Sequence, residues 1–168
     1  AIINSYYIDN NAKIEMKTHS EIDYIECCIT SGSLNNTLAL KKVGGYDDKM
    51  FIDMVDFDIC ATLIENNYKI LRVNKVLYSH EIGHSKIIKI FNKKLVIYNE
   101  KPIRVYYFTR NNIYYVKKHK KGVKGYLFLL RKCLLIILFE KKRFKKIQMM
   151  INGIKDSKKL CKDFENKK

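Results

Sequence analysis

The chain has 168 residues, 47% of them hydrophobic and 12% aromatic, which is enough to build a core and excludes global disorder. Its net charge of +16 is uneven: residues 1–85 hold 8 Lys+Arg against 12 Asp+Glu, and residues 86–168 hold 25 against 5. An acidic front and a basic rear point to two tasks, chemistry in front and contact with an anionic surface behind.

Five cysteines (Cys27, Cys28, Cys60, Cys133 and Cys161) have no C-x-x-C spacing, which argues against a zinc ribbon or a disulfide framework. They read as buried thiols of a reducing cytosol. The longest apolar run, Tyr126 to Phe139, is interrupted by Arg131 and Lys132. A spanning helix needs about 20 apolar residues, so this run falls short.

In chain order, Ile2-Ile3 and Tyr6-Tyr7-Ile8 are short β-like pieces, and Asp9-Asn10-Asn11 is a turn. Ile22 to Ile29 predicts a strand leading into the small-residue turn Thr30-Ser31-Gly32-Ser33. Asn36 or Thr37 caps a short helix through Lys42, ended by Gly44-Gly45. Val55, Ile59 and Leu63 recur every four residues and predict a helix over Val55 to Glu65, closed by Asn66-Asn67. Tyr68 to Val73 and Val76 to Tyr78 read as two strands around Asn74-Lys75, and His80 to His84 as a loop. Val105 to Lys118 is aromatic, basic and helical, and Lys117 to Lys124 is a basic connector. Tyr126 to Ile151 is one long helix or two shorter ones, broken at Asn152-Gly153, with a frayed basic tail from Lys155.

The chemistry-bearing residues cluster in the front. Asp53, Asp56 and Asp58 fall within six positions. Clustered acids repel, so a fold that keeps them close uses them for a metal, a proton or a hydroxyl. The plainer alternative is that acids in a first helical turn only cap the helix. His80 follows a strand-like stretch, where a ligand or proton-transfer group sits, or where a hydrogen-bonded structural histidine sits. His19 and His119 read as surface residues.

The order of the pieces is more specific than any one of them. S-G-S follows a strand; then come a helix, G-G-Y-D, F-I-D-x-V-D-x-D, a second helix, Y-K-I and V-L-Y-S-H-E-I-G. This series resembles the C-terminal half of the catalytic domain of family 2 glycosyltransferases with a GT-A fold. The closest subgroup is the rhamnosyltransferase-like enzymes of bacterial cell-surface polysaccharide synthesis. R-V-Y-Y-F-T-R-N (Arg104 to Asn111) and G-I-K-D (Gly153 to Asp156) are similar to that subgroup's C-terminal region. The resemblance runs from residue 1 to about 156.

The resemblance implies an α/β fold, the C-terminal part of a GT-A domain, followed by basic amphipathic helices. Residues 1–100 would be the acceptor-side half and 101–168 a helical extension, with the nucleotide-binding half missing at the N-terminus. It implies that Asp56 is the base that takes a proton from an acceptor hydroxyl during inverting transfer. Asp53, Asp58, Ser31 and Gly32 would contact the acceptor, and Arg110 and Asn111 the diphosphate. His80 would help hold a divalent cation, Mg or Mn, on the nucleotide-sugar donor. The implied donor is dTDP-L-rhamnose or a related nucleotide sugar, and the acceptor a glycan or lipid-linked glycan. Two positions depart from the family pattern: Thr62 stands where Arg is usual, and Asn67 where Gly is usual.

The basic rear has three readings: a solvated helix face, an interfacial membrane helix, or a nucleic-acid surface. Its aromatics cluster in apolar runs instead of interleaving with one basic groove, which favours an anionic membrane surface over nucleic acid. The expected location is therefore cytoplasmic and peripheral, at the inner face of a bacterial plasma membrane. The competing function is a non-catalytic basic module that binds a membrane or nucleic acid.

Overall fold

A computed structural model describes residues 1–9, 20–80, 86–90 and 93–166. Asn10, Asn11, Gly83 and His84, parts of the expected turn and loop, and His19, read as a surface residue, lie outside the described residues. The fold is mixed α/β and divides into two units: Ala1–Asp47 with Val55–Ile82, and Asp48–Met54 with Gly83–Lys168. This division differs from the expected boundary at 100/101.

The first unit holds a four-stranded sheet in the order β2-β4-β1-β3, formed by β1 (Ile2–Asp9), β2 (Ile22–Tyr24), β3 (Leu34–Asn35) and β4 (Ile70–His80). β1 and β4 run parallel; β2 is antiparallel to β4, and β3 to β1. Parallel neighbours need a long crossover. Here it contains β2, β3 and the helices α1 (Thr37–Lys42) and α2 (Val55–Glu65).

Both helices have the predicted boundaries. The Asn36 side chain accepts from the Ala39 amide at 3.0 Å, and Gly44 and Gly45 leave the helix at φ +88° and +75°. The left-handed Asn67 (φ +64°) follows α2 and substitutes for the usual Gly. The four-residue spacing of α2 buries Ile59 and Leu63 against Ile2, Ala39, Cys60 and Ile70. Burial of each large aliphatic contributes about 1.5–3 kcal/mol.

The two strands expected around Asn74-Lys75 are one strand with two register shifts against β1. Ser5 pairs with Val73 but Tyr6 pairs with Val76, so Asn74 and Lys75 leave the ladder without ending it. Conversely, the strand expected over Ile22 to Ile29 stops at Tyr24.

The second unit holds a hairpin, β5 (Lys86–Ile90) and β6 (Lys93–Ile97), and three helices: α3 (Pro102–Lys118), α4 (Gly122–Phe139) and α5 (Arg143–Glu165). Val105, Ile136 and Met150 meet in its core. The predicted break at Asn152-Gly153 is absent, and α5 continues to Glu165, so the tail is helical. The cause is helix crossing. A Cβ on Gly153 would lie 2.7 Å from the Tyr106 carbonyl oxygen and 3.2 Å from the Arg110 nitrogen. The glycine thus allows α5 to approach the backbone of α3. Tyr106 donates to Asp156 at 2.8 Å and Lys117 pairs with Glu165 at 2.8 Å, so α3 and α5 run in the same direction. The basic connector is shorter than expected because α4 starts at Gly122.

His119 is not a surface residue. It is 7% exposed, follows α3, and packs its ring 5.0 Å from Tyr115.

Candidate functional site

Asp56 lies in the first turn of α2, where the positive end of the helix dipole favours a carboxylate. It is partly exposed, and its Oδ1 accepts from the Thr30 amide at 3.0 Å. Among the described residues it forms no ion pair, and Thr30 is its only hydrogen-bond donor. The carboxylate is therefore held at one oxygen and not neutralised.

Thr30 opens the expected turn, which closes with Ser33 N–H to Thr30 O at 3.2 Å. Ser31 and Gly32 thus lie in the turn that Asp56 contacts through Thr30. Gly32 has φ +66°, and a Cβ there would overlap the Tyr78 ring. The Tyr78 hydroxyl donates to Ser31 O at 2.6 Å, and Asn4 Nδ2 donates to Ile29 O at 2.9 Å. Tyr78 and Asn4 are contributions that the sequence reading missed. The signal was there in both strands: a polar Asn after Ile2-Ile3, and a Tyr directly before the Ser-His pair. His80 follows two residues later in β4, where its backbone pairs with Asp9; its side chain lies outside the description.

Several groups next to Asp56 are shifted. Burial, followed by the charge of Asp56, pushes the Tyr46 phenol up. Hydrogen bonding with Cys60 and then burial push the Cys27 and Cys28 thiols well above the ordinary thiol range. All five cysteines are free, and Cys28 Sγ lies 4.0 Å from Cys60 Sγ.

Other candidates are used inside the fold. Asp58 is 2% exposed, which removes it from an acceptor's reach in this structure. Thr62, in the usual Arg position, donates to the Asp58 backbone carbonyl at 2.9 Å, so it supplies no cation for the acids.

In the second unit, Asp53 receives hydrogen bonds from Arg104 Nη2 and Nε, with its side chain only 11% exposed. Burial pushes the Asp53 carboxyl up, against the opposing pull of Arg104. The same hydrogen bond raises Arg104. Asp53 is thus an ion-pair partner and not an open acceptor contact.

Arg110 and Asn111, expected at a diphosphate, hold a peptide loop instead. Arg110 Nη2 donates to Lys49 O at 2.7 Å, and Asn111 Nδ2 donates to Ile52 O at 2.8 Å and Asp53 O at 3.0 Å. Asn111 is fully buried. Asp53 and Met54 both adopt left-handed backbone (φ +64° and +65°), which is costly for non-glycine residues. The carbonyl contacts from α3 hold that strained pair in place. The R-V-Y-Y-F-T-R-N and G-I-K-D segments also meet each other, through the Tyr106–Asp156 hydrogen bond and the close approach of Gly153.

A cavity of about 240 Å³ in the second unit is lined by Ile103, Tyr106, Met149, Asn152, Lys155 and Asp156, and includes none of the expected site residues. Among the described residues, no group of three or more His, Cys, Asp or Glu side chains converges into a metal site.

No protein-family model, curated protein or solved structure matches the chain.

Proposed function

We propose that this chain carries the acceptor side of an inverting glycosyltransferase of family 2 character, with a GT-A-type catalytic domain and Asp56 as general base. The observation that carries the reading is the unneutralised, partly exposed Asp56 at the start of α2, held by Thr30 beside the Ser31-Gly32 turn. A base in this position draws the proton from an acceptor hydroxyl as the oxygen attacks the anomeric carbon, and the nucleoside diphosphate leaves from the opposite face. The Thr30 amide fixes one oxygen, which leaves the other to receive the proton. Ser31 and Gly32, pinned by Tyr78, form the wall beside it.

The proposed donor is dTDP-L-rhamnose or a related nucleotide sugar, and the acceptor is a glycan or lipid-linked glycan. In this reading a divalent cation, Mg or Mn, on the donor diphosphate would be held with the help of His80 and would offset the charge of the leaving group. The proposed location is peripheral, at the cytoplasmic face of a bacterial plasma membrane.

The test is Asp56→Asn in the full-length protein, with rhamnose transfer from dTDP-L-rhamnose as the readout. The expected loss is about 10²- to 10⁴-fold at unchanged circular dichroism. Near-normal turnover removes Asp56 as the base. A second reading, a basic module without catalysis, is favoured by the internal use of Asp53, Asp58, Arg110 and Asn111. Absence of transfer already in the unaltered protein supports that alternative.

A further inference from the structure

We infer that α4 is an interfacial helix that seats the chain on an anionic lipid bilayer through one apolar stripe. Val123, Leu127, Leu130, Leu134 and Leu138 are 78%, 56%, 55%, 50% and 62% exposed. At 100° per residue these five positions fall within an arc of about 80°, and at 1.5 Å per residue they extend over about 22 Å. Ile136 is the buried residue of this helix, and it faces the core. A leucine row of this length is what a soluble surface normally lacks.

The charge around the stripe identifies what covers it. No Asp or Glu occurs from Lys101 to Phe139. Exposed Lys120, Lys121 and Lys124 stand at one end of the stripe, Lys141 and Lys145 beyond the other, and exposed Arg131 beside it. Lys132, the other cation within the helix, is turned away and pairs with Glu100 at 2.6 Å. Leucines flanked by cations match an acyl boundary under anionic headgroups. A second copy of the chain fits poorly, since parallel and antiparallel packing on the stripe both set cations against cations. A nucleic acid has no use for the five aliphatic side chains. No described helix is long and apolar enough to cross a membrane, so α4 lies in the interface. The inference deepens the peripheral location proposed above and does not rest on glycosyl transfer.

The test is co-sedimentation of the full chain with phosphatidylcholine vesicles, with and without phosphatidylglycerol, together with its sedimentation coefficient in the absence of lipid. Binding is expected only with the anionic lipid, and weakens as salt is added. Leu127→Glu with Leu134→Glu should lower binding at least about tenfold at unchanged helicity. Lys120→Gln, Lys121→Gln and Lys124→Gln together should remove much of the salt dependence and provide a second readout. Binding that ignores the leucine changes overturns the inference, as does a dimer that the same changes dissociate, or retention on random RNA alone. Asp56→Asn should leave vesicle binding intact, so failure of the catalytic reading and failure of this one remain distinct.

Discussion

The Thr30 amide donates to Asp56 Oδ1 across 26 residues of sequence, tying the first turn of α2 to the turn that follows Ile29. The bond needs only an acceptor oxygen, which separates the charge of Asp56 from its structural contribution. Asp56→Asn keeps an acceptor and should keep the urea midpoint. Asp56→Ala removes it and should cost about 1 kcal/mol, discounted because the site is partly exposed. Equal stability of the two variants would show that the bond does not hold the turn.

The Gly32–Tyr78 contact predicts a second pair of effects. Gly32→Ala meets both a left-handed backbone and the aromatic ring, and should destabilise the first unit by about 1–3 kcal/mol. Tyr78→Phe loses only the bond to Ser31 O and should cost about 1 kcal/mol. Urea unfolding of each variant reads both values, and a neutral Gly32→Ala would mean the turn can open.

Lys146 and Glu140 form a 2.6 Å ion pair in which each side chain is 2% exposed, and Asn99 Oδ1 accepts a further bond from Lys146 at 2.9 Å. Lys146→Met leaves a buried carboxylate unpaired and should cost about 3–5 kcal/mol. Adding Glu140→Leu should recover most of that loss, because both charges are then gone. Thermal unfolding of the single and double variants decides between pairing and simple packing as the source of the effect.

Acid sensitivity should be traceable to Asp23. Hydrogen bonds from Ser20 and Asn74, followed by Arg72, hold its carboxyl below the ordinary value of 3.8. A lowered folded value means the contribution is complete above the unfolded value and disappears as pH falls through the folded one. Asp23→Asn should therefore lower the neutral plateau and flatten the acid limb of a stability–pH curve, because the contribution it removes is present at neutral pH and already lost in acid. An unaltered acid limb would assign the loss to other carboxylates.

Local rules made α1 and α2 readable: a capping Asn36 followed by two glycines, and apolar residues every four positions. The same rules misread Asn152-Gly153, because intrinsic propensity treats glycine as a break while the crossing with α3 requires a residue without a side chain. Asn74-Lys75 looked like a strand end because a register shift is visible only against its partner strand. Arg110 and Asn111 looked like ligand contacts because their true acceptors, the carbonyls of Lys49, Ile52 and Asp53, lie about 60 residues earlier. Asp56 and the Ser31-Gly32 turn were legible as neighbours only through the resemblance, whereas Tyr78 and Asn4 emerged from strand pairing.

Gly153 gives the second unit a fulcrum. Its nearest neighbour is a main-chain oxygen, which cannot swing aside as a side chain can. The two helices are joined further along by the Tyr114–Phe164 ring contact and the exposed Lys117–Glu165 pair, and beside the crossing by Tyr106–Asp156. Of these, the exposed ion pair is the one that salt screens.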